Sequence, residues 1–307
     1  LAFYELENLK SIEIPDGVTQ INSYAVSGLD NAKHVIYSRR ITDVARCGSA
    51  FFPNAEELYL PETLKSVGMQ GFAAWSKITH LELPVSLKSV GDEAFKSANQ
   101  LRSVYIPGGT NLGRDVFSLN IEYRITVFTH HPNASITALA KNNNVQLVDL
   151  DYQKTTQNNR KIEIQQLENL LTAGNQNHHF VLTVKEKKPD AGESLHLRVS
   201  ATDNGQTLDK PDAPLKAVIE LTPEQEKYAY DVYLKNGNHY TNLTANRLAR
   251  FIRAELPAFG DIVLVPAGHD PREPLTLLES PNNAWTRQNP VRLRFRVNSN
   301  LRNFTSA

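Results

Sequence analysis

Ile78-Thr79-His80-Leu81-Glu82-Leu83-Pro84-Val85-Ser86-Leu87-Lys88-Ser89-Val90-Gly91-Asp92-Glu93-Ala94-Phe95 holds every element of a unit that recurs along the first part of the chain. Its apolar-x-apolar-Pro core, Leu81 to Pro84, returns as Ile12-Glu13-Ile14-Pro15, Val35-Ile36-Tyr37-Ser38, Leu58-Tyr59-Leu60-Pro61 and Val104-Tyr105-Ile106-Pro107, a spacing of 23 residues each time. Four further columns keep the same register: Ile21, Val44, Val67 and Val90; Val26, Ser49, Phe72 and Phe95; Leu6, Leu29, Phe52, Trp75 and Ala98; Leu9, Ala32, Ala55, Ile78 and Leu101. One deletion in the fifth unit brings Leu112, Gly113 and Phe117 into the equivalent places. A fixed period of this size marks a solenoid, whose units gain a core only by stacking.

Each position follows from what a coil needs. Leu81 and Leu83 point to one side and Glu82 to the other. Pro84 ends the strand because it has no N–H for the ladder, and Gly91 is expected to permit a tight bend. Burying a few large side chains contributes about 5 kcal/mol per coil, less than the cost of ordering its backbone. An isolated coil is therefore not expected to fold, and Phe72 and Phe95 are expected in one continuous buried column.

The pattern resembles the BspA-like, or Treponema pallidum-type, leucine-rich repeat family, most closely in Ile78 to Phe95 and in the preceding unit ending in Gly71-Phe72. Ser38 for Pro and Ser49 for Phe depart from it. The resemblance implies a leucine-rich-repeat β-solenoid of about five coils over residues 1–150. It also implies a cap, with Ile125 to Phe128 as a strand, Asn133 to Asn143 as a short helix and Val145 opening a final strand. Members of the family are often surface adhesins, so an extracellular or cell-surface setting is expected. Ala2-Phe3 matches Ala94-Phe95, so the chain is expected to open within a repeat, with more sequence upstream and Phe3, Leu6 and Leu9 partly uncovered.

Lys plus Arg and Asp plus Glu both number 33, which gives bulk electrostatics no hold on nucleic acid. No apolar run reaches a membrane span. The one cysteine, Cys47, cannot form an intrachain disulfide or a multi-cysteine metal site. His130-His131 and His178-His179 have no metal-ligand spacing around them, so solvated turns are expected and no metal or cofactor is assigned. There is no phosphate loop, nucleophile elbow or zinc-protease helix, and Ala267-Gly268-His269-Asp270 lacks the separated partners of a triad. A non-enzymatic protein is expected.

Residues 151–175 read as a polar connector followed by a helix carrying Ile162, Leu167, Leu170 and Leu171. Residues 176–307 read as a separate α+β domain of no nameable family. Strands are expected at 179–185, 195–201, 217–221, 262–265 and 291–297, with helices opening at Thr222-Pro223-Glu224-Gln225 and carrying Leu248, Phe251, Ile252 and Leu256. A Pro-rich connection runs from Pro266 to Pro290.

Two surfaces are candidates for recognition. The water-facing row of the repeat strands carries His34, Ile36, Glu57, Tyr59, His80, Glu82 and Tyr105, aromatic and apolar groups in a polar rim that suit a protein or glycan ligand. The same residues could serve only as cross-strand pairs. A second, basic face combines Arg247, Arg250 and Arg253 with Arg292, Arg294 and Arg296; it could hold anionic groups or simply be solvated. The first surface implies an adhesin-type protein. The alternatives are an assembly component docking through residues 176–307 and, more weakly, a carbohydrate-binding accessory protein.

Overall fold

The computed structural model describes residues 9–21, 29–46, 52–118, 123–157, 160–171 and 177–269, with the strand pairs 276–277 and 295–296. Each coil of about 23 residues places one strand at its apolar-x-apolar core and a shorter one at the following valine. They are β1 (Ser11–Glu13) and β2 (Gln20–Ile21), β3 (His34–Ile36) and β4 (Asp43–Val44), β5 (Glu57–Tyr59) and β6 (Ser66–Val67), β7 (His80–Glu82) and β8 (Ser89–Val90), β9 (Ser103–Tyr105) and β10 (Asn111–Leu112). Strands one coil apart pair in parallel, Ile12 with Val35 and Leu81 with Val104. The short strands form an unbroken five-stranded ladder, whereas the long ones divide between β5 and β7. This is the leucine-rich-repeat β-solenoid.

Among the described residues the aromatic column is continuous, Val26 and Ser49 lying outside them. Phe72 and Phe95 are buried, with ring centroids 5.6 Å apart, and Phe117 stacks on Phe95 at 5.6 Å, so the shortened fifth coil keeps its place. Gly91 acts differently from expectation. A Cβ there would lie 2.5 Å from the Met69 amide nitrogen and 2.7 Å from the Gly68 carbonyl carbon, so close approach of successive backbones, not a bend, demands glycine. The turns instead use left-handed Gln70, Glu93 and Asp115, whose φ angles are 54°, 53° and 51°.

The cap begins as expected with β11 (Ile125–Thr129), then α1 (Ala134–Thr137), whose first turn is held by Asn133 Oδ1 accepting from Ser135 and Ile136 N–H at 3.0 and 3.1 Å. The strand that follows is not final. β12 (Val145–Thr155) runs through the expected connector and pairs in parallel with β14 (His179–Lys187), beyond β13 (Ile162–Gln165). Next come β15 (Leu195–Asp203), β16 (Gln206–Leu208), β17 (Leu215–Glu220), β18 (Tyr230–Asn236), β19 (His239–Asn242), β20 (Ala245–Leu248), β21 (Phe251–Leu256), β22 (Gly260–Pro266), β23 (Thr276–Leu277) and β24 (Phe295–Arg296). One sheet of ten strands runs β19-β18-β22-β15-β14-β12-β11-β9-β7, with β16 beside β15, and so joins the repeats to the second unit without a break. A four-stranded sheet, β13-β17-β21-β20, packs on it.

The expected helices are corrected. Among the described residues the second unit is all β, with 3-10 turns only. The box at Thr222 forms, Gln225 N–H donating to Thr222 Oγ1 at 3.3 Å, but supports only the turn Gln225–Lys227. Val232 and Leu234 then alternate as a strand against β22. The stripe from Leu248 to Leu256 is a hairpin turning at Ala249, where φ is 48°. β21 buries Ile252, Ala254 and Leu256 in the sandwich and Phe251 against the repeats, with Arg253 half-buried and Glu255 exposed, so that Leu248, Phe251, Ile252 and Leu256 fall at helix-like spacings although they lie on a hairpin. Ile162 lies in β13, and Leu167 and Leu170 in a 3-10 turn after left-handed Gln166. Phe3, Leu6, Cys47, Arg292, Arg294 and most of the Pro266 to Pro290 connection lie outside the described residues.

Candidate functional site

The row that the alternation turns away from the solenoid core is not left to water. The four-stranded sheet lies across it, and Ile36, Tyr59, Val218 and Phe251 form a buried cluster of their own. The Tyr59 and Phe251 rings stack at 4.6 Å with an interplanar angle of 17°. Tyr105 meets Tyr152 edge-on at 5.3 Å. The expectation of an exposed face is thereby corrected: Ile36, Tyr59, Glu82 and Tyr105 are buried, and His34, Glu57 and His80 are half-buried. Apolar groups on this face do have a partner, and it is the same chain.

Charged groups frame the contact. Glu57 accepts from Lys216, from Arg253 Nη1 at 2.5 Å and from Tyr59 Oη at 2.6 Å, while His34 Nδ1 stands 3.1 Å away. Burial alone would raise the Glu57 carboxyl, but these donors outweigh it and hold the group at about 2. Arg250 is buried, with Nε 2.9 Å from Glu220, Nη2 2.6 Å from the Tyr37 carbonyl and Nη1 on Glu13 of the first coil. Arg39 reaches from the second coil to Glu220 at 2.7 Å and Glu226 at 3.0 Å.

Where β5 and β7 part, buried charges stand in the gap. Lys154 Nζ lies 3.0 Å from Glu62 and 2.6 Å from Glu82, and Lys161 Nζ 3.1 Å from Glu163. Three carboxylates thus share two largely buried ammonium groups. Burial pushes Glu82 up to about 7 against the pull of Lys154, and its proximity to Glu163 and Glu62 works in the same direction. His80 and Ser103 complete the contact through Glu168, at 3.2 and 2.8 Å.

Of the basic face, the described side chains Arg247, Arg250 and Arg253 are likewise spent internally. Arg247, Arg250 and Arg253 sit on β20, in the hairpin turn and on β21, not on a helix. Arg247 donates to the carbonyls of Ala249, Tyr228 and Glu226 at 2.8, 2.8 and 2.6 Å. Arg296 falls in β24, away from that hairpin in the pairing scheme. A cleft of about 470 Å³ opens between the second and third coils and the sheet, lined by Arg39, Arg160, Lys161 and Arg250 with Asp16, Glu62 and Glu220. Its positive groups all face carboxylates or carbonyls already, so it offers no free anion receptor.

One constellation escaped the sequence reading. The two histidine pairs, 48 positions apart, are brought together by strand pairing, with Asp149 between His130 and His179. Its only sequence signal was the doubled histidine beside two strands; the carboxylate came from a third.

The repeats themselves have a family. Residues 1–124 match, in six copies, the family described as BspA type leucine rich repeat region. The repeats are of the BspA type. A crystal structure of a leucine-rich repeat protein from Bacteroides ovatus is similar at 18% identity and a TM-score of 0.30, over 39% of this chain and 37% of that one. The chain thus spans little more than a third of the length of that relative. No curated protein matches. Among the described residues no helix is long and apolar enough to cross a membrane.

Proposed function

We propose that this chain is a non-enzymatic protein-interaction unit of the adhesin type, displayed outside the cell, which meets its partner through repeat surfaces other than the long-strand ladder. The observation that carries the reading is the occupation of that ladder by the chain's own β17 and β21. The short-strand ladder stays open. Gln20, Asp43, Ser66, Ser89 and Asn111 stand in register along it, one per coil, with Lys65 and Lys88 exposed beside them. A flat row of small polar groups with flanking ammonium groups suits a polar protein surface or the hydroxyls of a glycan.

Binding of the full chain to immobilised extracellular-matrix proteins and glycans tests this. Ser66→Arg with Ser89→Arg is expected to abolish binding at a small cost in stability, since Ser66 Oγ donates to Asp43. Tyr59→Ser, measured where it is fully folded, is expected to bind normally. The converse result would return the site to the covered ladder. The assembly-component reading is favoured by the continuous ten-stranded sheet, which joins repeats and second unit through paired strands. Under that reading, binding would follow substitutions on the outer edge strand β19 and ignore those at Ser66 and Ser89.

A further inference from the structure

We propose that His130, Asp149 and His179 form a binding site for a divalent transition-metal ion, zinc foremost. The three residues come from the end of β11, β12 and β14, neighbouring strands in the interior of the ten-stranded sheet. Thr129 pairs with Asp149 and Asp149 with His179, and His130 follows Thr129 directly. His130 Nδ1 lies 2.7 Å from one carboxylate oxygen of Asp149, and His179 Nδ1 2.7 Å from the other. Their ligand atoms all lie within 4.8 Å of one another. Two ligands of a tetrahedral zinc ion, each about 2.0–2.1 Å from the metal, are roughly 3.3 Å apart. Each nitrogen-to-oxygen spacing of 2.7 Å would have to open by about 0.6 Å to reach that separation.

Imidazole and carboxylate are the donor set that suits zinc and its neighbours in the first transition row. The backbone carrying them is a paired sheet, so little ordering is left for the ion to impose. His131 lies against the His130 ring, centroids 3.8 Å apart and the planes tilted by 38°, from a left-handed backbone with φ of 47°, an uncommon conformation for a residue with a side chain. Asp149 and His179 keep 44% and 43% of their side chains exposed, leaving an ion a position for water or an outside donor. The adjoining cleft of about 490 Å³, lined by Thr129, His131 and His178, gives access.

The other cluster of similar make-up shows the contrast. Asp190, Glu193 and His196 also converge, but the Lys235 ammonium already sits 2.6 and 2.7 Å from their carboxylates, where a cation would go. At His130, Asp149 and His179 no ammonium or guanidinium fills that role among the described ion pairs.

The test uses the full chain, free of any affinity tag and stripped with chelator, titrated with zinc by calorimetry and with cobalt by visible absorption. One equivalent of each is expected, cobalt giving the intense ligand-field bands of a low-coordinate site. His179→Gln and Asp149→Asn are expected to weaken zinc binding at least ~100-fold, the upper range for altering even the groups that orient ligands. Cys47→Ser and His239→Gln are expected to leave it unchanged. Imidazole resonances of His130 and His179 in the unmodified chain should shift together on adding zinc, which keeps the test independent of variant folding. Absence of saturable binding, binding lost with Cys47→Ser, or shifts confined to other histidines would overturn the proposal and leave a hydrogen-bonded His-Asp-His array.

Discussion

Phe251→Ala probes the contact that closes the strand ladder. The ring is fully buried, stacks on Tyr59 at 4.6 Å, touches the cluster of Ile36 and Val218, and lies under the Arg250 guanidinium at 5.3 Å. Removing a buried phenylalanine costs about 3–5 kcal/mol, of which the lost stack accounts for roughly 0.5–1.5 kcal/mol. The cavity would sit between two preformed sheets that cannot readily collapse into it, which places the cost toward the upper end. In a chain of this size that lowers the melting temperature by on the order of 10 °C. The location of the damage is more diagnostic. Amide hydrogen exchange, followed by peptide mass spectrometry, should speed up in β3, β5, β17 and β21, while the Phe72–Phe95–Phe117 column keeps its protection. If exchange in β3 and β5 stayed as slow as in the intact chain with the melting point unmoved, the four-stranded sheet would not be what covers Ile36 and Tyr59.

Arg250→Ala should cost about 3–5 kcal/mol, the range for breaking one side of a buried pair, and toward its lower end because Arg39 still serves Glu220; chemical denaturation reads it. Gly91→Ala should destabilise by about 1–3 kcal/mol through overpacking between coils, whereas an alanine at exposed Gly17, with open space around it, should be nearly silent. Glu82→Gln should flatten the pH dependence. With its folded carboxyl raised to about 7 from 4.5, Glu82 stabilises fully below about pH 4.5 and loses that contribution as pH rises through about 7. Glu57, lowered to about 2, acts oppositely: its contribution is present above about pH 4.5 and fades as pH falls toward 2, so Glu57→Gln should remove part of the acid lability seen in denaturation midpoints.

The repeats were legible because each coil repeats the same physical demands, and one register explained Leu81, Val90 and Phe95 together. The second unit was not, because Phe251 and Ile252, adjacent in sequence, are buried against two different partners, and with Leu248 and Leu256 they mimic a helical stripe. The ladder's fate was hinted at and misread. Ile36, Tyr59 and Tyr105 are too apolar for a water-facing row, and the column from Glu82 through Tyr105 continues to Phe128 and Val148, becoming wholly apolar where the sandwich begins. Nothing local distinguishes a partner in another molecule from one a hundred residues along the same chain. The histidine site was illegible for a related reason, since register between non-consecutive strands sets its geometry.

An open solenoid grows or shrinks by whole coils, each addition repeating the last contact. Here the array has an anchored end. The strands of the last coils continue into the ten-stranded sheet, and the four-stranded sheet packed on it brings β17 and β21 back over the coils of β1, β3 and β5. Adding one 23-residue unit ahead of β11 would slide that returning sheet by one strand spacing, about 4.8 Å, along the ladder. Arg250 would then face the coil after Glu13, Phe251 would sit on the wrong side of Tyr59, and Lys216 would lose Glu57. The contact thus fixes the number of coils between Glu13 and β11, and duplication of one of them is a frameshift of the whole interface.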